Sequence, residues 1–198
     1  MFFRYLFCVI LGYAVGSVVA AILISRIFFK DDVRLHGSGN SGATNAARTY
    51  GLGFGVLTFV FDFLKGLLAC WLGRLIAGDA GLALAGFAAV IGHCFPAYFG
   101  FKGGKGVSVG AAFALMLDWR IFFAALILFI VLAAVTRIVS VGSITATACV
   151  GVLSLVIPEN SLCRVMGLAA AITVIIMHRS NIVRLFRGEE KQMSFGKR

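Results

Sequence analysis

Three polar segments stand out in a chain that is otherwise strongly apolar. They cover residues 36–48 (HGSGNSGATNAAR), 92–108 (GHCFPAYFGFKGGKGVS) and 178–191 (HRSNIVRLFRGEEK), and they contain all three histidines. Glycines stand in them beside Lys, Arg, Asn and Ser. Glycine lets consecutive backbone N–H groups turn toward a concave site, and Lys or Arg adds positive charge. This combination predicts the binding of phosphate oxygens.

Neither glycine-rich segment matches a nucleotide-binding motif in its required context. Residues 37–42 fit G-x-G-x-x-G, but a dinucleotide site needs a preceding buried strand and a βαβ unit, which this chain lacks. Residues 101–108 fail the GxxxxGK[ST] pattern because Phe99 stands where the first glycine belongs. Both segments remain candidates for anion-binding turns that lead into helices. The alternative is that they are flexible connections whose basic residues hold topology and anionic lipid.

The third segment offers the best candidate for acid–base chemistry. Helical spacing places His178, Asn181 and Leu185 on roughly one face, with Arg184 and Glu189 within reach. His178 is therefore the preferred general base or electrostatic group. The alternative is a histidine that is favoured at a helix C-terminus by the helix dipole.

Other polar residues leave more than one interpretation open. For His93 a structural hydrogen bond is as plausible as a catalytic role, and His36 is interpreted as a loop residue without a role. Asp62 and Lys65 are three positions apart inside an apolar run, where ionised groups need partners. We expect them to pair with each other or with a polar segment. No two cysteines form a CxxC motif, and all are interpreted as packing residues: Cys8, Cys70, Cys94, Cys149 and Cys163.

Composition places the chain in a lipid bilayer. Of its 198 residues 61% are hydrophobic and 13% are charged, and the mean hydropathy is +1.01. This balance argues against a soluble enzyme, a nucleic-acid module and a disordered tail. At about 20 residues per crossing, the chain has room for about seven membrane spans and no separate soluble domain. The sequence therefore predicts one all-α integral membrane domain over residues 1–198.

The apolar runs predict a bundle of seven transmembrane helices. Six of the seven runs are of similar length. The exception is 106–117, whose twelve residues rise only about 18 Å as a helix, so this segment must tilt or stop short of the far side. The predicted spans are 5–25, 52–73, 80–99, 106–117, 121–136, 138–157 and 162–177.

The distribution of basic residues predicts the orientation of this bundle. With seven spans, Arg4, Arg74, Arg120 and Arg164 lie on one side, and Lys65 lies within a span. The other thirteen of the 18 Lys and Arg residues lie on the opposite side. The positive-inside rule then puts the N-terminus outside and the C-terminus in the cytoplasm, with all three polar segments on the cytoplasmic face.

Taken together, the three segments resemble the signature of the bacterial PlsY family of glycerol-3-phosphate acyltransferases, which use acyl phosphate as acyl donor. The resemblance rests on GSGNSGATNAAR at 37–48, GHCFPAYFGFKGGKGVS at 92–108 and HRSNIVRLFRGEE at 178–190, in the family's order. It implies catalytic roles for Ser38, Arg48, Lys105, His178 and Asn181. It implies substrate or phosphate binding by Asn40, Thr44, Asn45, His93, Lys102, Gly103, Gly104, Gly106 and Arg184.

The resemblance also implies a reaction, which is transfer of an acyl group from acyl phosphate to glycerol 3-phosphate. The expected products are lysophosphatidic acid and phosphate, and the reaction would be the first step of phospholipid synthesis. We expect it to take place in the bacterial inner membrane, without a cofactor or metal. We expect a functional monomer, with a homo-oligomer left open. The HxxxxD pair of acyltransferases that use thioesters is absent, because Ser41, Tyr98 and Val183 stand five positions after the histidines. This absence argues for a donor other than acyl-CoA or acyl carrier protein. Because an acyl phosphate is an activated mixed anhydride, we expect direct transfer without an acyl-enzyme.

Two other classes of protein remain as alternatives. A transporter or flippase for a phosphorylated solute would also have many spans and basic loops, but its polar residues should lie near the membrane midplane in both halves. Here they crowd one face, apart from Asp62 and Lys65. A purely structural subunit would not need three long polar segments.

Overall fold

The computed structural model describes residues 1–192, and this part of the chain is helical without any strand. Lys197 and Arg198, which contribute to the charge bias above, lie outside the described residues. The all-α prediction is confirmed for residues 1–192. Their nine α-helices are α1 Phe2–Gly16, α2 Ala20–Phe29, α3 Ala43–Tyr50, α4 Leu52–Cys94, α5 Val107–Leu117, α6 Trp119–Thr136, α7 Val139–Val156, α8 Ser161–Met177 and α9 Arg179–Phe186.

Helix α4 is a hairpin rather than one straight rod. Its 43 residues would extend for about 65 Å, roughly twice the thickness of a bilayer's hydrocarbon core. The helical conformation is interrupted at Ala77 and at Gly78, whose φ is +61°. A Cβ on Gly73 would lie 2.3 Å from the carbonyl oxygen of Gly81, so the arms 52–76 and 79–94 pack against each other. These arms correspond to the predicted runs 52–73 and 80–99.

Close backbone contact also joins α1 to the second arm of α4. A Cβ on Gly12 would lie 2.2 Å from the carbonyl oxygen of Ala85, and one on Gly16 would lie 2.2 Å from that of Ala89. Small residues spaced by four are typical of such close packing between membrane helices. The first predicted span, 5–25, is broken where α1 gives way to α2 at residues 17–19. The uncharged apolar run by itself predicts one uninterrupted helix, so this break is not visible in the sequence pattern.

Several of these helical stretches are long and apolar enough to cross a membrane. Within residues 1–192 there are four, and a fifth if α8 and α9, which meet at a bend of 54°, form one span. Helix α5 is shorter than these, as the sequence predicted. A multi-pass helical membrane protein is the result, whereas the count of seven crossings and the orientation of the termini stay predictions. The four stretches are Phe2–Phe29, Leu52–Phe99, Trp119–Thr136 and Val139–Val156.

Candidate active site

The three polar segments meet in one cavity of about 450 Å³. Its wall is formed by the loop before α3 and α3 itself, the turn before α5, and the junction of α8 and α9. Residues that are distant in sequence are thereby brought together in one cavity. Of the predicted site residues, the cavity is lined by Ser38, Asn40, Thr44, Asn45, Arg48, His93, Lys105, Gly106, His178, Asn181 and Arg184.

Asn45 shapes the loop that carries Ser38. Its side-chain nitrogen donates to the carbonyl oxygens of Val33 and His36, both at 3.0 Å. Its side-chain oxygen accepts from the backbone N–H of Ser38 at 2.9 Å. Asn45 is 2% exposed, so these three bonds satisfy its carboxamide inside the protein. The structure thus gives Asn45 a positioning function for Ser38.

The glycines of the second segment bind the protein's own backbone. The N–H of Gly103 donates to the carbonyl of Cys94 at 3.2 Å, and that of Gly104 donates to the carbonyl of His93 at 3.0 Å. Lys102 is exposed. Within residues 1–192, the lining of the cavity does not include Lys102, Gly103 or Gly104, in contrast to the expectation from the family resemblance. Their tight turn instead directs the next residue, Lys105, into the cavity.

Glu190 organises the third segment, one position beyond the glutamate that helical spacing indicates. Its Oε1 accepts from Asn181 at 2.5 Å and from the hydroxyl of Ser140 at 2.8 Å, and its Oε2 accepts from Arg184 at 2.7 Å. Helical spacing had pointed to Glu189. Because α9 ends at Phe186 and the chain reverses through Gly188, with φ at +68°, Glu190 returns to the cavity while Glu189 stays exposed.

Lys105 connects this network to the second segment by donating a hydrogen bond to the side-chain oxygen of Asn181. Burial lowers the pKa of the Lys105 ammonium to about 8, against the opposing effect of Glu190, while Arg184 and Arg48 lower it further. Burial raises the pKa of the Glu190 carboxyl, but hydrogen bonds from Asn181, Arg184 and Ser140 outweigh burial and leave that pKa below its usual value. At neutral pH the cavity therefore presents a charged but easily deprotonated lysine.

His178 is held with one ring nitrogen committed to the backbone. Its Nδ1 lies 2.8 Å from the carbonyl oxygen of Val174. A carbonyl only accepts, so Nδ1 carries the hydrogen and Nε2 has the free lone pair in the neutral ring. Within residues 1–192, no carboxylate is hydrogen bonded to this ring. The ring is thus oriented by the last turn of α8 rather than by an acid.

Asp62 and Lys65 form the buried pair that their spacing predicted, and they also reach the second polar segment. Lys65 Nζ lies 2.7 Å from Asp62 Oδ1 and 2.9 Å from Nδ1 of His93. Asp62 and His93 both line the cavity. Asp62 is therefore part of the wall of the site, and Lys65 contacts both of these wall residues.

An apolar cavity of about 140 Å³ continues from the polar one. Phe59, Val107, Phe129 and Ser143 line both. Beyond these shared residues the apolar cavity runs among α5, α6, α7 and α8, where Ala146 and Val150 are typical of its small aliphatic lining. A polar chamber and an apolar slot thus share one wall.

This fold and site define a helical membrane protein that can hold an anionic group beside an apolar chain. The chain belongs to the glycerol-3-phosphate acyltransferase family, whose model, described as Glycerol-3-phosphate acyltransferase, matches residues 6–188. It is 37% identical over 194 residues to a glycerol-3-phosphate acyltransferase of Finegoldia magna, covering 96% of this chain and 98% of that protein. It is 39% identical over 185 residues to one of Syntrophomonas wolfei, covering 93% and 95%.

Two solved structures share this fold. Both are crystal structures of PlsY, described as an integral membrane glycerol 3-phosphate acyltransferase. The glycerol 3-phosphate form has a TM-score of 0.90 and 34% identity, covering 96% of each chain. The lysophosphatidic acid form has a TM-score of 0.87 and 33% identity, again covering 96% of each chain.

Proposed function

We propose that this protein transfers a fatty acyl group from acyl phosphate to the 1-hydroxyl of sn-glycerol 3-phosphate, giving lysophosphatidic acid and inorganic phosphate. The observation that carries the proposal is the shared wall between the cationic chamber and the apolar slot. An acyl phosphate has a charged head and an apolar tail, which match the two cavities. The related PlsY structures are of a glycerol 3-phosphate form and a lysophosphatidic acid form, the acceptor and a product of this reaction.

Four cationic side chains are available for the phosphate groups. The polar cavity is lined by Arg48, Lys105, Arg184 and Lys191. Two of them are already oriented, because Arg184 donates to Glu190 and Lys105 donates to Asn181. Charged donors held in place before the substrate arrives bind phosphate oxygens without a large entropic cost.

The chemical step needs a nucleophile, an oxyanion donor and a proton acceptor. The 1-hydroxyl oxygen of glycerol 3-phosphate attacks the acyl carbon, and the bond from that carbon to the phosphate oxygen breaks. The hydroxyl proton passes to Nε2 of His178 or to a substrate phosphate, and phosphate leaves with the bonding electron pair. Ser38, on the loop held by Asn45, donates to the acyl phosphate or to the developing oxyanion. Since a mixed anhydride is already activated, the transfer is direct.

We also propose a cellular location and an orientation in the membrane for this protein. The positive-inside bias supports an N-terminus outside, a C-terminus in the cytoplasm and a site that faces the cytoplasm of a bacterial inner membrane. A single chain encloses the polar cavity, which supports activity as a monomer. The substrates are then acyl phosphate and glycerol 3-phosphate, and the product is the first intermediate of phospholipid synthesis.

A donor assay in nanodiscs tests this function. Purified protein is incubated with labelled glycerol 3-phosphate and either palmitoyl phosphate or palmitoyl-CoA, and labelled lysophosphatidic acid is measured. We expect product with palmitoyl phosphate as donor and none with palmitoyl-CoA. In Lys105→Met the apparent KM for glycerol 3-phosphate should be at least about tenfold higher. In the exposed control Lys30→Met this KM should change little. Product with palmitoyl-CoA but not with palmitoyl phosphate would refute the proposal that acyl phosphate is the donor. Label that crosses a proteoliposome membrane without acylation would instead indicate a carrier.

A further inference from the structure

Asp62, Lys65 and His93 form a buried polar cluster that none of the steps above uses. Asp62 and Lys65 lie in the first arm of α4 and His93 in the second. The side chains of Asp62, Lys65 and His93 are 1%, 10% and 4% exposed. Charged groups this deep are costly unless each has a partner. The arrangement of their hydrogen atoms therefore follows from the partners that each atom has.

Lys65 has a partner for each of its N–H bonds. Its Nζ lies 2.7 Å from Asp62 Oδ1, 2.5 Å from the carbonyl oxygen of Val18 and 2.9 Å from Nδ1 of His93. An ammonium has three donors and no acceptor, which matches these three partners, and the carboxylate of Asp62 at 2.7 Å supplies the counter-charge that a buried ammonium requires. Nδ1 of His93 must then accept the third hydrogen bond. In the neutral ring the hydrogen is consequently on Nε2.

Nε2 of His93 has no hydrogen-bond partner among residues 1–192. It lies against the backbone of Gly104, where an added Cβ would be 2.2 Å away, so a residue larger than glycine would clash with this edge of the ring. His93 lines the polar cavity. The N–H of Nε2 therefore needs an acceptor from outside the protein, and a phosphate oxygen bound in the cavity would supply it.

We propose that Asp62 and Lys65 are positioning residues that fix His93 as a hydrogen-bond donor, through Nε2, to a phosphate oxygen in the cavity. This inference rests on the proposed function, since it assigns the donor to the phosphate of glycerol 3-phosphate or of acyl phosphate. The His93 carbonyl also accepts from Gly104, one residue before Lys105. The same residue thus supplies a neutral donor and anchors the turn that carries the cationic one.

The position of the hydrogen is measurable in the unmodified protein. We would label the histidines with ¹⁵N, assign His93 with the His93→Gln variant, and record the ring nitrogens in nanodiscs by NMR. We expect a protonated, pyrrole-type Nε2 and an unprotonated, pyridine-type Nδ1. A hydrogen on Nδ1 would mean that this nitrogen donates, either to Lys65 or to Asp62 Oδ1 at 3.6 Å, and it would overturn the inference. This measurement stands even if a Lys65 variant fails to fold.

A double-mutant cycle separates positioning from packing. The side-chain amide nitrogen of Gln lies near the Nε2 position of His and donates without any choice of ring tautomer. We expect Lys65→Met to raise the KM for one of the two phosphate substrates about tenfold in the native background and less than about twofold in His93→Gln. The substrate whose KM changes identifies which phosphate Nε2 binds. Equal increases in both backgrounds would show that Lys65 only supports packing, and would overturn the inference.

The two measurements also distinguish this inference from the proposed function. A protein that acylates glycerol 3-phosphate but carries the hydrogen on Nδ1 would refute the tautomer assignment alone. A protein with the hydrogen on Nε2 that produces no lysophosphatidic acid from palmitoyl phosphate would refute the acyl transfer, and with it the assignment of Nε2 to a substrate phosphate. The ring NMR and the donor assay would therefore be run on the same preparation.

Discussion

Lys105 donates a hydrogen bond to the side-chain oxygen of Asn181, which stands 76 positions away in the chain. Asn181 in turn donates to Glu190 at 2.5 Å. Two separate polar segments are thus connected through one amide side chain, which uses its oxygen toward Lys105 and its nitrogen toward Glu190. We therefore expect the charge of Lys105 and the position of Glu190 to affect the same quantity, kcat/KM for glycerol 3-phosphate.

The first prediction concerns the pH dependence of catalysis. Since the pKa of Lys105 is lowered to about 8, this side chain loses its charge as the pH rises through about 8, well before an ordinary lysine at about 10.4. We expect kcat/KM for glycerol 3-phosphate to fall above that pH. Lys105→Arg should remove this alkaline decline, because an arginine stays charged. The profile is measured at low glycerol 3-phosphate, with a correction for spontaneous hydrolysis of the donor.

A decline that persists in Lys105→Arg would assign the alkaline limb to another group. The exposed substitution Lys30→Arg serves as control, and its profile should match that of the native protein.

The second prediction contrasts two adjacent glutamates. Glu190→Gln weakens the charged acceptor of Asn181, Arg184 and Ser140, and hydrogen bonds to a charged group contribute about 1.5–3 kcal/mol. We expect kcat/KM for glycerol 3-phosphate to fall about tenfold or more. Glu189→Gln changes an exposed neighbour and should leave it within about twofold. Steady-state kinetics measures both, and equal losses would refute the assignment of Glu190.

The third prediction addresses the order of the chemical events. Ser38→Ala removes one donor from the site and should lower kcat about 10²–10³-fold, which does not by itself exclude a nucleophilic serine. In the native protein we therefore expect intersecting double-reciprocal lines for the two substrates. Mass spectrometry after exposure to donor alone should show no acyl group on Ser38. Parallel lines together with a trapped acyl-serine would establish a covalent intermediate and contradict direct transfer.

The fourth prediction concerns the apolar slot. Ala146 lines it, whereas Ala148 is exposed on the same helix. Ala146→Phe should shorten the space for the acyl chain, and loss of about two buried CH₂ groups at ~0.8 kcal/mol each corresponds to roughly a tenfold loss or more. We expect kcat/KM for palmitoyl phosphate to fall by about that factor while a shorter acyl phosphate is little affected. Ala148→Phe should not change this preference.

The fifth prediction tests the orientation in the membrane. Single cysteines at Lys30 and Glu159, both exposed, are introduced into a variant without the five native cysteines. With intact cells and a membrane-impermeant maleimide, Glu159→Cys should react and Lys30→Cys should react only after the membrane is permeabilised. The reverse pattern would place the polar cavity on the outer face.

The sequence predicted the general plan because that plan depends on local composition. Runs of apolar residues define the helices, and glycine next to basic residues marked the three segments that meet in the cavity. The sequence predicts the segment from 26 to 51 as a connection, yet it contains α3. This helix has only eight residues, about two turns, which are too few for periodicity to distinguish it from a loop.

Details of the site required distances across the fold. The contact between Lys65 and His93 depends on the hairpin of α4, since the two residues are 28 positions apart. The backbone partners of Gly103 and Gly104 depend on where the second arm ends. Glycine density indicated a tight turn at these positions, but it did not indicate whether the amides face a ligand or the protein's own carbonyls.

Because the chain reverses at Ala77 and Gly78, the number of residues in each arm of α4 determines where His93 lies relative to Lys65. With only two residues outside helical geometry, the turn has no slack to absorb an insertion. One extra residue would rotate the following arm by about 100° and shift it by about 1.5 Å. His93 would then turn away from Lys65, although the inserted chain would remain as hydrophobic as before. The spacing of residues along a membrane helix, and not only its hydrophobicity, therefore decides whether the chain can assemble a working site.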